Sequence, residues 1–158
     1  AAKRAGVPAV FVGDGPEADA IRVANADAEI TGWLSPDGVR KHLSDARALV
    51  FPSLWYECQP LVPIEALLRG IPVICGSWSA ASEVVRHGEN GIVYDAPDVD
   101  TLATAIRSIT NVPAFDTGEL AQRSAPARYQ ARLTEIWEAM LADGTWARHG
   151  AQRDRSRS

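Results

Sequence analysis

Apolar residues fall along the chain in short unbroken runs set between Gly, Pro and Asp, alternating with stretches of about ten residues whose apolar positions recur at helical spacing. This βαβα rhythm predicts strands over residues 9–12, 28–31, 48–51, 71–75 and 92–94. Helices are predicted over residues 17–26, 35–46, 61–69, 80–86 and 99–109. Local signals agree with the pattern: Ser35-Pro36-Asp37 reads as an N-cap followed by Pro at the first helical position, Gly70 as a helix stop, and Asn90-Gly91 as a tight turn. Continuous apolar runs such as 71–75 suit parallel strands buried on both faces, and parallel neighbours need crossover helices. The expected fold class is therefore α/β, a Rossmann-like open parallel sheet with flanking helices.

Beyond this repeating part the pattern weakens. Residues 111–125, with Asn111-Val112-Pro113, read as a linker, and residues 126–143 as a long helix carrying Tyr129, Leu133, Trp137 and Leu141 at four-residue spacing. That stripe is expected to cover something apolar, first this same domain and second a neighbour. Residues 144–158 read as a disordered Arg/Ser tail.

Composition narrows the picture by exclusion. With 46% apolar and 23% charged residues the 158-residue chain has the make-up of a globular domain, not of a collagen-like, disordered or disulfide-stapled one. No run is long enough for a membrane helix and no signal-peptide core follows Lys3-Arg4, so a cytoplasmic location is expected. The net charge of −4 hides an asymmetry, because the last twelve residues hold Arg148, Arg153, Arg155 and Arg157 against Asp154. The remainder is strongly acidic, which argues against a duplex nucleic-acid partner. Cys58 and Cys75 form no C-x-x-C pair, and His42, His87 and His149 have no partner at ligand or relay spacing, so no metal site is expected. With only Lys3 and Lys41, neither after a glycine-rich loop, a Walker-type phosphate loop is excluded.

Open parallel sheets bind ligands at the carboxyl ends of their strands. The loop after the third strand, Pro52 to Pro60, is the most unusual of these, with Glu57 in the loop and Glu65 about one turn inside the next helix. The helix start around Pro60, Leu61 and Val62 presents free N–H groups and a positive dipole end, which suit a phosphate, whereas an ionised carboxylate suits a ribose diol. That combination points to a nucleotide. An equally weighted reading is purely structural: Glu57 caps the helix and Glu65 pairs with Arg69 at i, i+4. Gly13-Asp14-Gly15-Pro16 lacks the third glycine of a dinucleotide fingerprint and is a weak signal alone.

Taken in order, Phe11-Val12-Gly13-Asp14-Gly15-Pro16, Ile30-Thr31-Gly32-Trp33-Leu34, Phe51-Pro52-Ser53 with Glu57 and Glu65, Glu65-Ala66-Leu67-Leu68-Arg69-Gly70-Ile71-Pro72-Val73-Ile74, Glu83-Val84-Val85 and Gly88-Glu89-Asn90-Gly91 resemble the C-terminal, donor-binding half of group 1 (family 4-like) retaining glycosyltransferases of the GT-B fold. The resemblance runs from about residue 7 to residue 109. It implies that Glu65 binds the ribose of a nucleotide-diphosphate sugar and that Glu57, the catalytic candidate, stands by the donor sugar and the reacting centre. It further implies that backbone groups near Gln59, Pro60, Leu61 and Val62 hold sugar and diphosphate, that Gly32, Trp33 and Leu34 line the base pocket, and that Gly13 and Gly15 let the backbone approach the nucleotide. No metal or other cofactor is implied, since the helix dipole and basic groups stabilise the departing diphosphate.

Two departures from the family pattern matter. Cys58-Gln59-Pro60 stands where many members have Gly-aromatic-Gly, and Pro60 removes a backbone donor. By the resemblance, the family's opening strand, Gly-Arg loop and downstream Lys, and its acceptor-binding N-terminal domain, are expected to be missing from these 158 residues. Residues 1–110 are thus expected to be a nucleotide-sugar-binding domain, a truncated GT-B C-terminal domain without its first strand, with the strands near Ala9 and Ala48 flanking a gap of unpaired backbone groups. The isolated chain is expected to be inactive and weakly stable or self-associating. A membrane-peripheral location is an expectation for a full-length parent alone. The alternative readings are a nucleotide-binding or interaction module completed by a separate partner half, and a truncated product without function.

Overall fold

The computed structural model describes residues 1–55 and 57–142. Two compact units result, Ala1–Thr117 and Gly118–Ser158.

In the first unit five short strands alternate with helices. The order is α1 (Ala2–Ala5), β1 (Val10–Phe11), α2 (Ala18–Ala24), β2 (Glu29–Ile30), α3 (Pro36–Asp45), β3 (Leu49–Phe51), α4 (Leu61–Leu68), β4 (Val73–Gly76), β5 (Gly91–Tyr94) and α5 (Val99–Ser108). Single 3-10 turns occupy Ala80–Glu83 and Ile109–Asn111. The first of these lies where the pattern suggested a full helix over 80–86. Ser79 caps it by accepting from the Ala81 N–H, and Asn90 then ties the following chain to the start of β5.

Every strand pair is parallel, yet the sheet is not continuous. β1 pairs with β2, and β3, β4 and β5 form a separate ladder in that order. Among the described residues no ladder joins β1 to β3, the two strands expected to flank the gap. Burial follows the ladders, and the two-face burial expected of continuous apolar runs such as 71–75 holds for β4 but not for β1. Val73, Ile74 and Cys75 in the central strand are fully buried, whereas Val10 and Phe11 keep 48% and 41% of their surface exposed. A strand with neighbours on both edges and helices on its faces excludes water; a two-residue pair does not.

The core gathers around β4 and β5. Ile74, Ile92 and Tyr94 pack with Ala105, Ile106 and Ile109 from α5 and its continuation, and Ala5, Val7, Leu102 and Trp78 close over them. Asp98 caps α5 by accepting from the N–H groups of Asp100 and Thr101. At the opposite end of the unit's sequence, α1 docks on α5 through an Arg4–Asp100 ion pair and a bond from Arg107 to the Arg4 carbonyl. β4 and β5 approach so closely that a Cβ on Gly91 would run into the Val73 carbonyl.

The second unit contains α6 (Gly118–Ser124) and α7 (Pro126–Ala142). Part of the stretch 111–125 is therefore helical where a linker was expected: Gly118 to Ser124 lack any apolar stripe strong enough to signal a helix. Along α7 the stripe residues Tyr129, Leu133, Trp137 and Leu141 are exposed. Residue 143 of the expected final helix and the expected tail 144–158 lie outside the described residues.

Candidate functional site

The carboxyl ends of the strands carry the candidate residues. At the ends of β1 and β2, Gly13 and Gly32 face one another in an isolated antiparallel bridge. Their φ values of 130° and 68° lie where L side chains are strained, so glycine at these positions lets the two strand-end loops meet. A Cβ at either would touch nothing within 4 Å, which leaves the space in front of both open. Gly15 differs, since its φ is not positive; its N–H is held by the Asp14 carboxylate at 2.8 Å. Next to Gly32, Trp33 is the more exposed, at 87%, while Leu34 is half-buried against the start of α3. That helix begins as its sequence dictates, Ser35 Oγ accepting from the Gly38 N–H with Pro36 at the first position.

The second group stands on the β3–β4–β5 ladder. Pro60 is the N-cap residue of α4 and no side chain caps the helix. Glu57 therefore does not cap it. The exposed Glu57 carboxylate instead receives the Ser53 hydroxyl at 3.3 Å, and the same Ser53 Oγ accepts from the Trp55 N–H at 3.3 Å. Glu65, also exposed, does not pair with Arg69 either: the Arg69 guanidinium donates to the Glu65 backbone carbonyl at 2.8 Å. Both structural alternatives for the carboxylates are thus unoccupied, and both groups face water as acceptors.

The helix end itself is shaped by two prolines. Pro60 has no N–H at the cap and Pro63 none at the third position, so only Leu61 and Val62 offer backbone donors in the first turn, and neither N–H is bonded among the described residues. Gln59, exposed, immediately precedes them. What remains is a narrow anion site: two adjacent amides on a helix whose dipole is positive at that end.

One residue that the sequence pattern did not single out reaches this loop from the turn after β4. The Trp78 indole N–H donates to the Ser53 carbonyl at 3.0 Å, its ring meeting Tyr94 edge-on with centroids 5.2 Å apart. The available signal was Gly76 two residues earlier, where a Cβ would collide with the indole. Elsewhere, burial pushes the Cys75 thiol up to about 11, which keeps it a neutral core residue beside the site rather than a nucleophile. Among the described residues no three His, Cys, Asp or Glu side chains cluster as metal ligands, and no helix is long and apolar enough to cross a membrane.

Solved structures with a similar fold include glycosyltransferases. Anabaena HepE, solved in complex with UDP and glucose, superposes with a TM-score of 0.69 at 21% identity, over 84% of this chain and 41% of its own. This likeness and its companions place the chain in the GT-B architecture. The sequence profile described as Glycosyl transferases group 1 matches residues 1–111, and the chain belongs to that family. Among curated relatives, a GDP-mannose-dependent phosphatidylinositol monomannoside mannosyltransferase of Mycobacterium tuberculosis is 29% identical over 87% of this chain and 38% of its own. An exopolysaccharide phosphotransferase of Streptomyces coelicolor is 28% identical over 83% of this chain. The chain spans only 15% of the latter's length, so it corresponds to part of each relative.

Proposed function

We propose that the chain is the donor-binding half of a retaining glycosyltransferase that moves a sugar from a nucleotide-diphosphate sugar to an acceptor hydroxyl. The observation that carries this reading is the pairing, on one strand-end loop and its helix, of two exposed carboxylates, neither capping α4 nor paired with Arg69, with two free amides of α4. Acceptors for hydroxyls beside donors for phosphate match a sugar–diphosphate–ribose ligand in both charge and polarity. Glu65 takes the ribose diol, Leu61 and Val62 N–H groups take phosphate oxygens, and Glu57 faces the sugar. Gly13, Gly15 and Gly32, with Trp33 and Leu34, border the nucleoside.

In transfer, the bond from the anomeric carbon to the diphosphate breaks and one to the acceptor oxygen forms, the acceptor proton balancing the charge on the released diphosphate. Charge developing on the leaving oxygen is what fixed amides at a helix start stabilise, and Glu57 favours the positive charge developing on the sugar. A metal is not required by this scheme. An acceptor-binding domain is required, and completes the cleft either in the same polypeptide or in a partner.

The test is calorimetric titration of the chain with UDP, GDP and ADP, the first two because relatives name both bases. Binding of one nucleotide, reduced at least about tenfold in Glu65→Ala through loss of a charge-assisted hydrogen-bond pair, is expected. Equal affinity of parent and variant would refute the role of Glu65, and no binding to any of the three would refute a self-sufficient donor site.

A further inference from the structure

The Trp78 side chain is held on three sides and offers its one polar atom to the site. Tyr94 meets it at an interplanar angle of 87°, Gly76 lies against it with no side chain of its own, and the cluster around Ile74 and Ile106 packs beside it. A tight turn after β4, with the Ser77 N–H on the Tyr94 carbonyl and the Ser79 N–H on the Gly76 carbonyl, fixes its backbone. From this rigid seat the indole N–H reaches across 25 residues of sequence to the Ser53 carbonyl, just past the end of β3. Ser53 in turn presents its hydroxyl to Glu57 and accepts the Trp55 amide. Glu57 has no other hydrogen bond or ion pair among the described residues.

We propose that Trp78 is a positioning residue for the donor site: its indole N–H fixes Ser53, and Ser53 fixes the height of the Glu57 carboxylate above β3. This rests on the assignment of Glu57 to the donor sugar made above. A partly buried indole N–H needs an acceptor, and the one it takes here is the loop residue whose hydroxyl reaches Glu57. The arrangement also explains why residue 76 has no side chain: the space belongs to the indole.

Two variants of the full chain separate the links. Trp78→Phe keeps the aromatic contact with Tyr94 and removes the donor; Ser53→Ala keeps the carbonyl that Trp78 holds and removes the hydroxyl. Hydrogen exchange should show the Trp55 amide exchanging about five-fold faster in Trp78→Phe, the equivalent of one lost hydrogen bond, with β4 and β5 amides unchanged. Calorimetry with UDP against UDP-glucose, and GDP against GDP-mannose, should show diphosphate affinity within about two-fold of the parent, while the extra affinity contributed by the sugar falls about five-fold in both variants. Unchanged Trp55 exchange in Trp78→Phe, or an unchanged sugar increment in both variants, would overturn the proposal. Equal parental affinity for a diphosphate and its sugar conjugate would overturn it through Glu57. A parent that binds none of these probes refutes the donor reading alone, and the exchange arm still decides whether the indole holds the loop.

Discussion

Asn90 offers the sharpest test of how the β3–β4–β5 ladder is held. Its side chain is nearly buried and spends both ends of its amide on the preceding chain: Oδ1 accepts from the Arg86 N–H at 2.6 Å and Nδ2 donates to the Val84 carbonyl at 3.1 Å. Its backbone carbonyl meanwhile accepts from the Val73 N–H at the start of β4. Asn90→Ala strands one donor and one acceptor in a partly buried site, at about 1 kcal/mol each, so a loss of about 2 kcal/mol is expected. With a urea slope of about 2 kcal/mol per molar, this lowers the unfolding midpoint by about 1 M. Asn90→Asp keeps the acceptor for Arg86 but turns a donor into a charged oxygen facing the Val84 carbonyl. Burial and that carbonyl raise the folded-state pKa of the introduced carboxyl, so the folded form gains a proton first as pH falls. The deficit relative to the parent is therefore greatest at neutral pH and shrinks toward pH 5, by up to about 1.4 kcal/mol per unit of pKa elevation. The assay is urea unfolding followed by near-UV circular dichroism, to which the Trp78–Tyr94 pair contributes. A midpoint for Asn90→Ala within about 0.2 M of the parent, or a pH-independent deficit for Asn90→Asp, would refute the reasoning.

Two other outcomes follow from the charged and sulfur-bearing groups. Hydrogen bonds from the backbone and side chain of Thr101 hold the Asp98 carboxyl below its ordinary value of 3.8. Its contribution to stability is present above that value and lost as pH falls through the lowered folded pKa; Asp98→Ala should lower the melting temperature at pH 7, and the difference from the parent should close in acid. Cys58 is exposed and Cys75 buried, so a thiol reagent at pH 8 should modify one sulfhydryl of native protein quickly and the second only on unfolding; rapid modification of both would contradict the burial of β4.

Much of the chain was legible because its signals are local. Ser35 and Pro36 start a helix wherever the chain places them, and residues 73–75 are too continuously apolar to lie anywhere but in the interior. What misled were features decided at a distance. Val10 and Phe11 look like core residues, yet their burial depends on a strand edge that no described segment pairs. Ala80–Glu83 has helical composition, but the Asn90 side chain captures the backbone that another turn would have used. In the site, the two carboxylates and the prolines could be read directly. The rejection of a cap by Glu57 and of an Arg69 pair by Glu65 could not, since both alternatives satisfy the same spacing. Trp78 escaped for a similar reason: one tryptophan after a strand carries no sign of which loop its indole will reach.

The division of the strands into a pair and a trio has a thermodynamic consequence for recognition. Gly13 and Gly32 rest on a ladder two residues long with both strands largely open to water, while Glu57 and Glu65 flank one anchored in the deepest core. Local opening of the first should require far less free energy than opening of the second. A ligand spanning both must therefore give up part of its binding free energy to order the weaker side, and its measured dissociation constant rises in inverse proportion to the fraction of molecules in which that side is already formed. If the site takes the proposed nucleotide-sugar, whatever braces β1 on the edge that no described strand pairs, with no contact to the ligand itself, would act as a positive effector of its binding.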